Sequence, residues 1–163
     1  MTRDKDFKAL VRRRMRQRNE SYTAARVALL ALRPPEATRW NVARRDQQLI
    51  IDSWFNGGRL RSVPARRKVR AAVLLEVVSR FVPGVVYPEH EVSRRLSQVH
   101  LDFACLRREL VGFGYLERLS NRYWVCRAAP ARTAQQRREL PTWEELWLPG
   151  FVARAEHHGL RAR

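Results

Sequence analysis

Residues 57–126 read GGRLRSVPARRKVRAAVLLEVVSRF (57–81) and then VPGVVYPEHEVSRRLSQVHLDFACLRRELVGFGYLERLSNRYWVC (82–126). Their periodicity predicts three short helices followed by two short strands. Pro64 suits a helix start, because its φ is already fixed and its missing N–H would be unpaired there anyway. From Ala65 to about Phe81 the apolar positions Val69, Ala72, Val73, Val77 and Phe81 recur at helical spacing, with Leu74 and Val78 widening the stripe. Arg66, Arg67, Lys68 and Arg70 crowd the first turns of that helix. Cations there oppose the helix dipole, so a role other than helix stability is expected for them.

Pro83-Gly84 ends the first helix. Pro88 is expected at the first position of a second helix, with Glu89 and Glu91 in its favourable acidic first turn. Val92 and Leu96 mark its buried side and leave Arg94 and Arg95 to solvent. A turn of Ser97-Gln98-Val99-His100 leads to a third helix from about Leu101 to Phe113. Phe103, Leu106 and Leu110 face inward at i, i+3 and i+7, while Ala104, Arg107 and Arg108 lie off that stripe. Asp102 is placed to cap its start, and Gly112 or Gly114 to end it. Residues 115–119 and 122–126 alternate on either side of Ser120-Asn121, the pattern of a β-hairpin. Leu60-Arg61-Ser62 is expected to add a third strand to that sheet.

The reading is a mainly α fold with a small β-hairpin (α+β): a winged helix-turn-helix core, a basic N-terminal helical hairpin and a C-terminal amphipathic helix. Trp54-Phe55 and GGRLRSVPARRKVR, then VYPEHEV, QVHLDFACLRRELVGFGYLER and RYW, resemble a bacterial family known as domain of unknown function 2087. His100 with Asp102, residues 106–110 (LRREL) and Gly114-Tyr115-Leu116 carry the resemblance most specifically, and it spans roughly residues 46–127. It implies a regulator-like, DNA-associated role and brings no catalytic residues with it.

Thirty-three basic residues against 16 acidic ones give the 163-residue chain a net charge of +17. Such a balance attracts polyanions. All but Lys5, Lys8 and Lys68 of the basic residues are arginine. Arginine suits bidentate phosphate and guanine contacts, and a GC-rich genome produces the same bias. Two cysteines, Cys105 and Cys126, without a signal peptide point to a reducing cytoplasm. No apolar run approaches the ~20 residues of a membrane span, so a cytoplasmic, nucleoid-associated location is expected.

Around the core, residues 1–33 form a basic helical hairpin carrying ten basic and three acidic residues. Arg12, Arg13 and Arg16 are its candidate phosphate-facing side chains, lacking i,i+4 acidic partners, although the hairpin suits dimerisation or docking equally. Ser21 is a good N-cap for its second helix, which Pro34-Pro35 ends. Residues 34–45 read as a linker, 46–126 as the winged domain opening on a helix over 46–55, and 127–140 as a basic, mobile connector. From 141 to 163 the large apolar groups Trp143, Leu146, Trp147 and Phe151 predict an amphipathic helix that docks on the protein's own core or on a partner such as RNA polymerase.

Catalysis is not expected. No Cys-x-x-Cys, His-Glu-x-x-His or phosphate-cradling glycine loop occurs, and Gly57-Gly58 reads as a turn. His100 and Asp102 form a local pair without a nucleophile or a third orienting group. No cofactor and no metal are expected.

Three functions stay open. In the first, a DNA-binding transcription regulator presents Arg107, Arg108, Gln98 and His100 to the major groove, with Arg94 and Arg95 alongside. Arg118 and Arg122 then lie on the backbone or minor groove, and Arg66, Arg67 and Lys68 on flanking phosphates. The competing role for the helix arginines is an ion pair within the domain, for instance Arg108 with Glu109 or Glu117. The second is binding to structured RNA or the ribosome. The third is a protein–protein adaptor using Trp143, Leu146, Trp147 and Phe151. A homodimer is also compatible with the sequence; a membrane is not.

Overall fold

A left-handed residue, Asn19 (φ 48°), divides the N-terminal helical stretch into α1 (Thr2–Arg18) and α2 (Tyr22–Ala31). The computed structural model describes residues 2–31 and 36–160, with side-chain surroundings for 7–29 and 39–156. Two compact units result, Met1–Thr38 and Arg39–Arg163. Pro34-Pro35 and Leu32 lie outside the described residues. In the first unit the Ser21 hydroxyl accepts the backbone N–H of Ala24 at 3.2 Å, the N-cap expected of it. Val11 and Ala25 are buried between the helices, while Leu10 and Val27 are more than half exposed.

In the second unit α3 (Glu36–Ile51) occupies much of the stretch expected as a linker. It also ends four residues before the expected helix 46–55 does. Trp40, Ala43 and Gln47 explain both differences. They share one helical face, and that face packs inward: Ala43 and Gln47 are fully buried. Gln47 Nε2 donates to the Ala72 carbonyl at 2.9 Å. Small Ala43 and polar Gln47 give a weak hydrophobic signal, so the expected helix over 46–55 covers only the last part of α3.

A tight hairpin of β1 (Phe55–Asn56) and β2 (Arg59–Leu60) follows, closed by Gly57 (φ 55°) and Gly58 (φ 79°). Leu60 therefore does not join the later sheet as expected; its N–H donates to the Val99 carbonyl at 2.8 Å instead. The helix α4 (Arg67–Val78) begins two residues later than Ala65. Here Arg70 reaches back to the carbonyls of Pro64 (2.7 Å) and Ala65 (3.3 Å), using acceptors that an earlier helix start would need. Seven of its residues are buried, including Ala71 and Leu75 beyond the expected stripe. It is the central helix of the core.

The strand β3 (Tyr87–Pro88), the helices α5 (Glu89–Ser97) and α6 (Phe103–Gly112), and the strands β4 (Leu116–Leu119) and β5 (Arg122–Val125) complete the expected stretch. The sheet order is β3-β5-β4, antiparallel throughout. Tyr87–Pro88 thus supplies the third strand. An edge position suits Pro88, which has no N–H to give to a second neighbour. Ser120 (φ 47°) and Asn121 (φ 61°) both sit left-handed between β4 and β5, as a two-residue hairpin turn requires. Asp102 accepts the Cys105 N–H at 2.9 Å and caps α6, and Gly114 (φ 71°) follows its end. The described residues are therefore mainly helical with small antiparallel sheets.

The expected connector 127–140 is ordered instead. Thr133 and Gln136 form a reciprocal capping box at the start of α7 (Ala134–Glu139), and Leu140 is buried. The last helix, α8 (Glu144–Leu160), packs on α4. Trp143, Trp147, Leu148 and Val152 are all buried in the core, and Leu146 and Phe151 lie half-buried against it. Trp147 Nε1 donates to Gln47, and Trp40 Nε1 to the Trp147 carbonyl at 3.1 Å. The aromatic residues expected to bind a partner are thus covered by the chain's own second unit.

Candidate nucleic-acid interface

Among the described residues the cations divide into those that other side chains engage and those with no ion-pair partner. Arg107 belongs to the first group. Its guanidinium lies 3.2 Å from Glu89 and donates to the Ser93 hydroxyl at 2.6 Å. Glu89 also accepts the Tyr123 hydroxyl at 3.0 Å and stands 3.5 Å from Arg118. One carboxylate at the start of α5 therefore ties α6 and both strands of the hairpin to that helix. Tyr123 feels the consequence: burial, then the bond to Glu89, raises its pKa. Arg118 also donates to Asn121 at 2.9 Å. These two arginines, expected to read bases and backbone, thus both make contacts within the second unit.

Arg94 and Arg95 converge on Glu91, each at 2.8 Å. The Arg94 hydrogen bond is the main cause of the lowered Glu91 pKa. Arg95 also lies over the Tyr87 ring, 5.0 Å from its centroid. His100 is engaged in the turn before α6, where its Nδ1 accepts the Asp102 N–H at 3.0 Å. Gln98, at the end of α5, is exposed.

The second group includes Arg66 and Lys68 at the start of α4, Arg108 on α6 and Arg122 on β5. All four are exposed and have no ion-pair partner among the described residues. The expected alternative, an Arg108 pair with Glu109 or Glu117, does not form: Glu109 is held by Arg70 at 3.2 Å and Glu117 by Trp124 Nε1 at 2.9 Å. In the first unit Arg12, Arg13 and Arg16 are likewise exposed and unpaired among the described residues, whereas Arg14 pairs with Glu20.

The outward face of α6 is narrow in chemistry. Opposite the buried Leu106 and Leu110 lie Ala104, Arg108 and Gly112, small residues around a single cation. At its C-terminal end this face borders a cleft of about 460 Å3 lined by Ala65, Arg67, Arg70, Arg108, Glu109, Gly112 and Phe113. The fold thus brings Arg67 and Arg108 to one place, a juxtaposition that no sequence spacing announces. Gly112, expected only as a helix stop, leaves that part of the cleft wall bare. Glu89, expected only as a dipole partner, proves to be where α5, α6, β4 and β5 meet; its place in an acidic first turn gave the one hint.

Among the described residues no group of three or more His, Cys, Asp and Glu side chains is placed to hold a metal ion, and no helix is long and apolar enough to cross a membrane. Residues 59–125 match a family model described as an uncharacterized protein conserved in bacteria (DUF2087). The match agrees with the resemblance drawn from the motifs and is narrower than 46–127, leaving out α3 and the C-terminal helices. No curated protein and no solved structure matches the chain.

Proposed function

We propose that the DUF2087 segment at residues 59–125 is a winged helix-turn-helix, and that the chain built around it is a DNA-binding transcription regulator of bacteria. The observation that carries this reading is the element order α4-β3-α5-α6-β4-β5 together with the sheet order β3-β5-β4. That arrangement leaves α6 as the helix next to a two-stranded wing, the plan in which the later helix enters a major groove. The unpaired cations support a polyanion as partner: Arg66 and Lys68 beside α4, Arg108 on α6 and Arg122 on the wing are solvated rather than neutralised. The narrow chemistry of the α6 face favours backbone attraction over an extensive base code. No catalytic role, cofactor or metal is part of this reading, and its place of action is the bacterial chromosome.

The test is a binding titration of the full chain on random duplex DNA and on stem-loop RNA at several salt concentrations. Affinity for duplex should fall steeply with salt and survive excess RNA competitor. Stronger binding to the RNA would replace DNA by structured RNA as the partner. Weak binding to both would end the nucleic-acid reading.

A further inference from the structure

We infer that the cleft between the start of α4 and the C-terminal half of α6 is a phosphate-binding site, in which Arg67 and Arg108 grip one phosphodiester of the bound nucleic acid. The inference rests on the DNA-binding reading above and changes the role of Arg108 from base reader to backbone anchor.

Three guanidiniums and one carboxylate line the cleft. The carboxylate is already spent. Glu109 lies 3.2 Å from Arg70, which also donates to the carbonyls of Pro64 and Ala65. Arg70 and Glu109 neutralise each other and act as a fixed wall, so the excess positive charge comes from Arg67 and Arg108. The Arg67 guanidinium lies over the Phe113 ring, 5.4 Å from its centroid. Its only carboxylate neighbour among the described residues, Glu139, stands 3.8 Å away with both side chains more than two-fifths exposed. A pair so exposed and so long is screened and weak, and a dianionic or diester phosphate outcompetes it. Arg108 has no ion-pair partner among the described residues. The Phe113 ring gives the Arg67 guanidinium a cation–π neighbour at the cleft, and a planar fork of N–H donors matches phosphate oxygens bidentately.

Access is open because Gly112 carries no side chain. A Cβ built there meets nothing within 4 Å. The same fact supplies a clean test. Residue 112 is helical and tolerates a side chain, so Gly112→Glu places a carboxylate at the cleft without straining the backbone. Arg66 and Lys68, exposed at the start of α4, extend the positive edge along which a strand would run.

The experiment measures duplex affinity of the full chain against salt for the native protein, Arg108→Gln, Gly112→Glu and, as a matched charge-removal control on the exposed face of α3, Arg45→Gln. Inorganic phosphate is titrated separately into the duplex-free protein. The expected result is a loss of roughly tenfold in affinity for Arg108→Gln and Gly112→Glu, equal on all duplex sequences. For Arg108→Gln the slope of log affinity on log salt should flatten by about one unit, the signature of one lost phosphate contact. Arg45→Gln should do neither, and free phosphate should bind only weakly. Native-like binding by both cleft variants, or a loss no larger than that of Arg45→Gln, overturns the site and leaves the DNA reading standing. Tight binding of free phosphate, abolished by Gly112→Glu while duplex affinity stays constant, overturns the phosphodiester assignment in favour of a small-anion site. No duplex binding by the native protein overturns the DNA reading itself.

Discussion

Arg107 and Glu89 face each other across the α5–α6 junction at 3.2 Å, and through Glu89 the hairpin strands join the same contact. The neighbouring Arg108 has no such tie. Two adjacent arginines of one helix therefore do opposite work, one inward and one outward. Arg107→Ala should cost about 1–2 kcal/mol of folding stability, since it leaves a partly buried carboxylate with fewer donors. Arg108→Ala should stay within about 0.5 kcal/mol of the native protein, as exposed substitutions do. Urea denaturation of both variants checks the division; equal stabilities would refute it.

Gly150 lies where a side chain cannot be accommodated. A Cβ there would stand 2.0–2.8 Å from three atoms of Trp40, itself stacked under Arg154 and bonded to the Trp147 carbonyl. Gly150→Ala should destabilise the protein by about 1–3 kcal/mol through overpacking. Adding Trp40→Ala should recover part of the effect of the glycine substitution, so that the two changes are non-additive in thermal unfolding.

Glu144 is almost fully buried, and so is the Arg132 side chain that pairs with it at 2.7 Å. Arg132 also donates to the Phe113 carbonyl at 2.7 Å, and the Tyr115 hydroxyl donates to Glu144. Glu144→Ala strands a buried guanidinium and should cost about 3–5 kcal/mol. Replacing Arg132 and Glu144 together by methionine and leucine should cost less than the single change, because no unpaired charge is left. Chemical denaturation of the three proteins decides it.

Two buried acids make the fold sensitive to alkali. Burial pushes the Cys126 thiol from 9.0 up to about 12 and, reinforced by Glu144, raises the Tyr115 phenol well above 10.0. In both cases the unfolded chain releases its proton first as pH rises. Their stabilising contribution is complete below about pH 9 and is lost above it, through the folded-state values. The denaturation midpoint should therefore fall between pH 9 and 11, and less so in Cys126→Ala. An unchanged pH profile in that variant would remove Cys126 from the account.

The helices from Val69 to Leu110 and the hairpin around Ser120-Asn121 were legible because their signals are local: apolar period, an Asp102 cap, a pair of left-handed turn residues. The start of α3 and all of α7 were not. The stretch expected as a linker buries Ala43, with Gln47 just beyond it, rather than large apolar groups, and the contact of Gln47 with Trp147 lies far along the chain. Thr133-x-x-Gln136 was a readable capping box, hidden in a composition suggestive of a mobile segment. For the candidate site the basic residues were visible but their pairing was not. That Glu89 occupies Arg107 while Arg108 shares a cleft with Arg67 depends on which helices cross, and composition carries no such information.

Gln47 accepts from Trp147 and donates to Ala72, so three helices meet on one amide. Only the last of those residues belongs to the segment 59–125 that the family match covers. The matched segment and the unit of cooperative unfolding are therefore expected to differ in this molecule. The central helix of the matched segment has its apolar flank covered by α3 and α8. Hydrogen exchange should report Ala72 and Trp147 opening together, as one foldon, across a boundary that sequence comparison draws between them.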